Sequence, residues 1–536
     1  MRLETALVDD AGGDPSVLLA LAELWYRAAL KRRHHNPASA ITPLRAAAAA
    51  AALAAATPDA ECCDRAVEIH NVAVARLLRI AQDERASGGR CWPGTLARFG
   101  VSAVGADPFV NPWRFAAVVV ADDVRISGMR DRFRTYGLGV PVVGTRCVDR
   151  GRPTETDERF FPTRLRIAAT VLAAPSGGLA GAAYRLSPLR LVFHDPFPVD
   201  LVLAGGRTLP MATDRTTHLV LQASQDRLPS QAIRGVFASE FGPEVEPGLY
   251  MLRPYAPGKI PVVFVHGLAS TPVGFVQAIN DFENDPVLSA RYQFWVFIYP
   301  TGLPIVDSAL RLREELGRAQ ATYGADPSFH RMVIVGHSMG GILAHVAVSD
   351  SGRNVWDSAL SVPPEALRAS PATRAAVDRL LFFHPLPYVR RVVFIATPHR
   401  GSRLASNPVG VFFGGLVRPS AEQTARVDEL RALNGPAVIR DENFQGRSIN
   451  AIGNLQVDSP LLQAIGRLPV APGVPYHTIA FQFAGHAPGD LVVPLWSAHL
   501  DGAASEVIFP GFHGSEQSPA SLGEVRRILL EHLGGP

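Results

Sequence analysis

What this chain lacks narrows it first. Its 536 residues include only four cysteines, Cys62, Cys63, Cys91 and Cys147. They show no metal-ligand spacing, and the adjacent Cys62 and Cys63 are badly placed to pair, so ordinary thiols are expected and no metal site. No stretch reaches the roughly 18 strongly apolar residues of a membrane-spanning helix. Basic and acidic residues nearly balance, 52 against 49, for a formal net charge of +3. No Lys/Arg block carries interleaved aromatics, which argues against a nucleic-acid partner. The opening MRLETALVDDAGGD lacks the basic and apolar regions of a signal peptide, leaving the cytoplasm as the default compartment. Lys31-Arg32-Arg33, the run Ala46 to Ala56 and Cys62 loosely imitate a lipoprotein leader. They lie too far inside the chain, and an alanine run reads better as a packed helix.

What is present describes a well-cored chain of two or three domains, 47% hydrophobic and 19% charged. Residues 1–87 have helical character. Leu21, Leu24, Trp25 and Ala28 recur at helical spacing, Thr57-Pro58-Asp59 opens a further helix, and Val67, Ile69, Val72 and Leu77 give it an apolar face. Paired helices of this kind resemble a small tetratricopeptide-like array without its period of about 34 residues. They form a scaffold or a docking surface for a protein partner. Residues 88–246 read as a β-rich accessory region, with runs such as Phe115 to Val120, Arg166 to Leu172, Leu189 to Phe193 and His218 to Gln222 between Pro, Gly and Asp clusters. His194 and Asp195 there read as structural. From residue 247 to 536 strands alternate with helices, as in a doubly wound, mostly parallel α/β sheet.

The chemistry centres on Arg331 to Val348, RMVIVGHSMGGILAHVAV. A buried strand runs into Gly336-His337-Ser338-Met339-Gly340 and then a helix, which is the form of a nucleophile elbow. Small residues two before and two after the serine let strand and helix pack closely. A serine hydroxyl needs a base, and the base needs a carboxylate to orient it. His513 lies after the last strand and before the final helix, and Asp490, in GDLVVP, follows the strand ending at Phe483. The order Ser338, Asp490, His513 is that of α/β-hydrolases. The backbone amides of Leu268, after His266-Gly267, and of Met339 are the expected oxyanion donors.

Rival residues are weaker. Asp458 has no strong strand before it. His337 sits inside the elbow and reads as structural, His399 precedes the acid, His477 lies within a strand and His486 just before the acid loop. His266, His337 and His399 remain candidates to line the cleft.

HGLAST, VGHSMGG, ATPHRGS, GDLVVP and the late His-Gly together resemble the lipase/esterase branch of the α/β-hydrolase superfamily, from about Tyr255 onward. YQFWVFIYPTG with the later motifs is similar to large bacterial hydrolases carrying an N-terminal extension. The resemblance implies an acyl-enzyme mechanism, no cofactor and no metal, and it offers the cell envelope as the alternative compartment. Excursions at about 350–387 and 403–475 sit where such folds carry caps, and their apolar stretches, Val377 to Phe383 and Val409 to Leu416, favour small-molecule or lipid esters and peripheral membrane contact. The alternatives are acyl transfer by the same triad and a non-catalytic scaffold recruiting partners through the N-terminal helices.

Overall fold

The computed structural model describes residues 14–32, 37–86, 92–98, 100–175, 188–198, 200–204, 207–224, 246–268, 272–402, 421–440 and 454–534. The chain divides into two compact units, Met1–Asp149 with Thr163–Gln222, and Arg150–Pro162 with Ala223–Pro536.

The first unit opens with α1 (Pro15–Arg32), α2 (Ile41–Ala54), α3 (Ala60–Ala86) and the short α4 (Trp92–Ala97). Alanines cover α2 on nearly every side, and Ala46 to Ala52 are all buried. Such short side chains let neighbouring backbones come close, so the run is interior helix. Strands β1 (Val101–Gly105), β2 (Phe115–Val120), β3 (Arg134–Thr135), β4 (Val140–Cys147), β5 (Arg164–Pro175) and β6 (Leu189–His194) follow. Five of them form a sheet in the order β1-β6-β5-β4-β2, with β1 parallel to β6 and the other pairings antiparallel. A hairpin of β7 (Leu201–Ala204) and β8 (Arg207–Pro210), the strand β9 (Thr213–Asp214) paired to β3, and α5 (Thr217–Ser224) complete it.

Helices and sheet share one core here, so the boundary expected at 87/88 is not a boundary of the fold. Leu18, Ala55, Cys63 and Ala66 pack in one cluster with Leu138, Leu172 and Met211. The buried His70 Nε2 accepts the Ala173 N–H at 2.9 Å, and Trp92 Nε1 donates to the Phe115 carbonyl at 3.1 Å. The run His218 to Gln222, expected as a strand, is helical. Asp214 Oδ1 accepts the N–H groups of Thr216 and Thr217 at 3.1 and 2.8 Å and caps the helix start, a signal that a short apolar run cannot show.

Residues 150–162 belong to the second unit, not to the β-rich region. The Asp157 carboxylate accepts the Tyr323 hydroxyl at 2.5 Å and the Tyr255 N–H at 3.0 Å. Those two rings stack with centroids 4.0 Å apart. This unit is built on β10 (Gly248–Met251), β11 (Ile260–Val265), α6 (Val276–Asn284), α7 (Pro286–Arg291), β12 (Tyr292–Ile298), α8 (Ile305–Tyr323), β13 (Met332–His337), α9 (Met339–Ala347), α10 (Asn354–Ala359), α11 (Pro371–Leu381) and β14 (Val389–Ile395). It continues with α12 (Ala421–Asn434), α13 (Pro460–Gly466), β15 (Tyr476–Gln482), α14 (Leu495–Ala498), β16 (Ser505–Pro510) and α15 (Pro519–Leu533). The seven strands run in the order β10-β12-β11-β13-β14-β15-β16. Only β10 is antiparallel. Every side chain of β11 and β13 is buried, as central parallel strands covered by helices on both faces require. Val377 to Phe383 lies on and just after α11, whereas Val409 to Leu416 lies outside the described residues.

Candidate active site

Parallel strands deliver their following loops to one edge of the sheet, and the sequence-predicted residues meet there. Ser338 stands between β13 and α9 with φ 53° and ψ −125°, a conformation a side-chain-bearing residue rarely adopts. The turn is held by the Ser338 N–H bonded to the Ile395 carbonyl at 2.8 Å. The small flanking residues are a steric necessity. A methyl on Gly340 would come within 2.2 Å of the Val265 carbonyl oxygen, and one on Gly336 within 2.6 Å of the Gly341 Cα.

His513 occupies the loop between β16 and α15, and its Nε2 lies 2.9 Å from Ser338 Oγ. Its Nδ1 lies 2.8 Å from Asp490 Oδ2. That carboxylate can only accept, so Nδ1 carries the proton and Nε2 is left to accept from the serine hydroxyl. Asp490 is itself fixed. Its Oδ1 accepts the N–H groups of Val492 and Val493 at 2.9 and 2.6 Å, and its carbonyl accepts the His513 N–H at 3.0 Å. Asp458, the rival acid, is exposed on the loop before α13. The carboxylate bonded to His513 is that of Asp490.

Around the serine, Gly267 fits so closely that a methyl on it would approach Ser338 Cβ to 2.8 Å. The Leu268 amide is the next in the chain. Met339 is the first residue of α9, and the N–H groups opening a helix have no intrahelical acceptor.

Of the other candidate histidines all but one are interior groups. His266 stacks on Tyr299 at 4.5 Å, its Nδ1 lies 3.1 Å from the Gly267 carbonyl, and burial holds its pKa at about 4. His399 is wholly buried, edge-on to Phe394 at 4.8 Å and to His345 at 5.3 Å, and burial pushes its pKa far down. His477 takes a 2.6 Å bond from Arg391 inside the sheet. His486 is exposed beside Phe483. His337 has a definite task. Its Nε2 lies 3.0 Å from the His513 carbonyl, and burial keeps it neutral with a pKa of about 3, so it donates there and pins the His513 loop. Glu516, which the sequence pattern did not single out, lies 3.8 Å from the same nitrogen, and burial raises its pKa. A carboxylate three residues past a candidate base was the available signal. Among the described residues, no group of three or more His, Cys, Asp or Glu is disposed to hold a metal.

An outer antiparallel strand beside a crossed-over parallel sheet, with a strained serine turn after its central strand, decides the architecture. The second unit has the α/β-hydrolase fold. Solved structures similar to this chain include a Bacillus licheniformis lipase in its mature form, 18% identical over 53% of this chain and 99% of its own, with a TM-score of 0.34. A propionate-bound esterase from Thermogutta terrifontis is 15% identical over 54% of this chain and 91% of its own, at 0.28. A metagenomic carboxyl esterase is 15% identical over 55% and 82%, at 0.29. No family profile matches the chain, and no curated protein matches its sequence. At such identities the assignment of the α/β-hydrolase fold rests on strand order and elbow geometry.

Proposed function

We propose that this chain is a serine hydrolase of carboxylic esters, lipase- or esterase-like, working through an acyl-enzyme on Ser338. The observation that carries the reading is the unbroken hydrogen-bonded line from Ser338 Oγ through His513 to Asp490, at 2.9 and 2.8 Å. As Ser338 Oγ attacks the ester carbonyl, its proton passes to His513 Nε2. Asp490 stabilises the imidazolium and keeps it oriented. The negative charge growing on the carbonyl oxygen is met by the amides of Leu268 and Met339. Collapse breaks the ester C–O bond, and His513 returns the proton to the departing alcohol. Water, deprotonated by His513, then attacks the acyl carbonyl, the bond from the acyl carbon to Ser338 Oγ breaks, and His513 returns the proton to Ser338 Oγ as the acid leaves.

The two excursions form an apolar cap in this reading. Its support is a small recess of about 90 Å³ bounded by Val306, Leu360, Val377, Leu381, Leu430 and Ile439, contributed by α8 and the excursion segments. An apolar wall of this kind suits acyl chains better than charged substrates.

A chain-length series of p-nitrophenyl esters tests the proposal. Turnover by the native chain and its loss in Ser338→Ala are expected. Native-rate hydrolysis by Ser338→Ala would remove the assignment. Product analysis with an added alcohol separates hydrolysis from acyl transfer.

A further inference from the structure

The first unit carries a recess of about 330 Å³ that the serine chemistry does not use. Its walls come from α1, α3, the end of β2, and β3 with the turn leading into β4. That volume falls at the lower end for small-molecule sites. Three guanidinium groups, of Arg76, Arg79 and Arg134, line it together with one carboxylate, that of Asp122, and the rings of Tyr26 and Tyr136.

Each arginine is only partly engaged. Arg76 Nε donates to the Tyr26 hydroxyl at 2.9 Å, and among the described residues no carboxylate pairs with it. Arg79 holds Asp123 at 2.7 and 2.8 Å, and Arg134 pairs with Asp122 at 2.5 Å. Both aspartates are well exposed, so the single Arg134–Asp122 contact contributes little, whereas the two-bond Arg79–Asp123 pair is firmer and turns Arg79 toward the recess with its charge half met. Arg134 Nε is buried with no acceptor. A buried donor left unpaired calls for a partner, and guanidinium forks match phosphate oxygens.

The turn behind them is rigid. The Asn71 side chain accepts the Gly139 N–H at 2.8 Å and donates to the Gly137 carbonyl at 2.9 Å. Tyr136, 80% exposed, lies at the lining with the Arg134 guanidinium 5.2 Å from its ring centre. An aromatic ring left so exposed at a cationic recess is a ready stacking platform.

We propose that this recess binds a small phosphomonoester carrying a planar ring, of the chemical class of the nucleoside monophosphates. The phosphate lies among Arg76, Arg79 and Arg134, and the ring stacks on Tyr136. Three guanidinium groups offer more donors than the two oxygens of a carboxylate can take, whereas a phosphomonoester presents three oxygens and nearly two negative charges.

Isothermal titration of the full chain with adenosine monophosphate, adenosine and inorganic phosphate tests this. Saturable binding of the monophosphate is expected, with adenosine and inorganic phosphate each at least about tenfold weaker. Arg76→Gln should weaken the monophosphate by at least about tenfold. Tyr136→Ala, at an exposed site that the fold does not depend on, should weaken it by about fivefold or more. Absence of saturable binding at millimolar monophosphate, equal affinity for inorganic phosphate, or native affinity in Tyr136→Ala would each overturn the proposal.

Discussion

The two units treat backbone strain and buried imidazole in opposite ways. Among the described residues, the first unit holds no residue with positive φ except glycine. The second holds Ser338, Ala396 and Leu491 at 53°, 47° and 77°. All three lie in the loops leaving β13, β14 and β15. Such conformations cost about 1–3 kcal/mol each and persist only where the surroundings enforce them. Burial holds His70 of the first unit at a pKa near 4 and lowers His194, whereas in the second it holds His266, His337, His345, His477 and His532 at about 4 or below and pushes His399 far down. Strain and desolvated imidazole gather at the sheet that carries the serine. The first unit gathers three arginines at a partly exposed recess.

The largest effect that would break this contrast concerns the serine itself. Ser338→Ala should lower ester hydrolysis by at least about a thousandfold in a p-nitrophenyl ester assay. Asp490→Asn should cost about a thousandfold or more in kcat by leaving His513 in the wrong tautomer. Asp458→Asn should stay within about twofold of native, because its carboxylate is exposed on another loop. Loss in Asp458→Asn with retention in Asp490→Asn would reassign the acid.

Acid stability sharpens the comparison next. A histidine with a folded pKa below its unfolded value of about 6.5 is protonated more readily when unfolded. Its contribution to stability is therefore full above that value and is lost as pH falls toward 4. Each such group gives a slope of about 1.4 kcal/mol per pH unit in this window. Glu516 and Asp307, raised by burial, run the other way. Among the described residues six lowered histidines against two, set against the one raised histidine, His499, still leave the second unit with the steeper acid loss. Hydrogen exchange read peptide by peptide between pH 7 and pH 4.5 measures both units in one sample.

Smaller effects test packing at the elbow. Gly340→Ala should destabilise by about 3 kcal/mol or more, because its methyl would meet the Val265 carbonyl 2.2 Å away. Gly317→Ala, in α8 with open space around the added carbon, should stabilise by about 1 kcal/mol. Urea unfolding of the two variants checks both signs.

The elbow was legible in the sequence because its physics is local. A strand, two flanking glycines and a helix must follow one another without a break. The order of Asp490 and His513 was legible because each follows an apolar strand. Other features arise from contacts distant in sequence. Nothing in the alanine run of α2 says that α1 and α3 share a core with Leu172 and Met211. Nothing in residues 150–162 says that Asp157 is held by Tyr255 and Tyr323. The helix α5 was hidden because three apolar residues in the five-residue run His218 to Gln222 carry no decisive period. Glu516 was hidden because its meaning depends on His337, which lies in a different element.

The serine chemistry stands or falls on Ser338 being an activated nucleophile. Incubation of the folded chain with a fluorophosphonate probe, followed by peptide mapping, tests it most directly. One covalent adduct is expected, on Ser338, that disappears when the chain is unfolded before labelling. An unlabelled Ser338 in folded chain, or an adduct that survives prior unfolding undiminished, would contradict it.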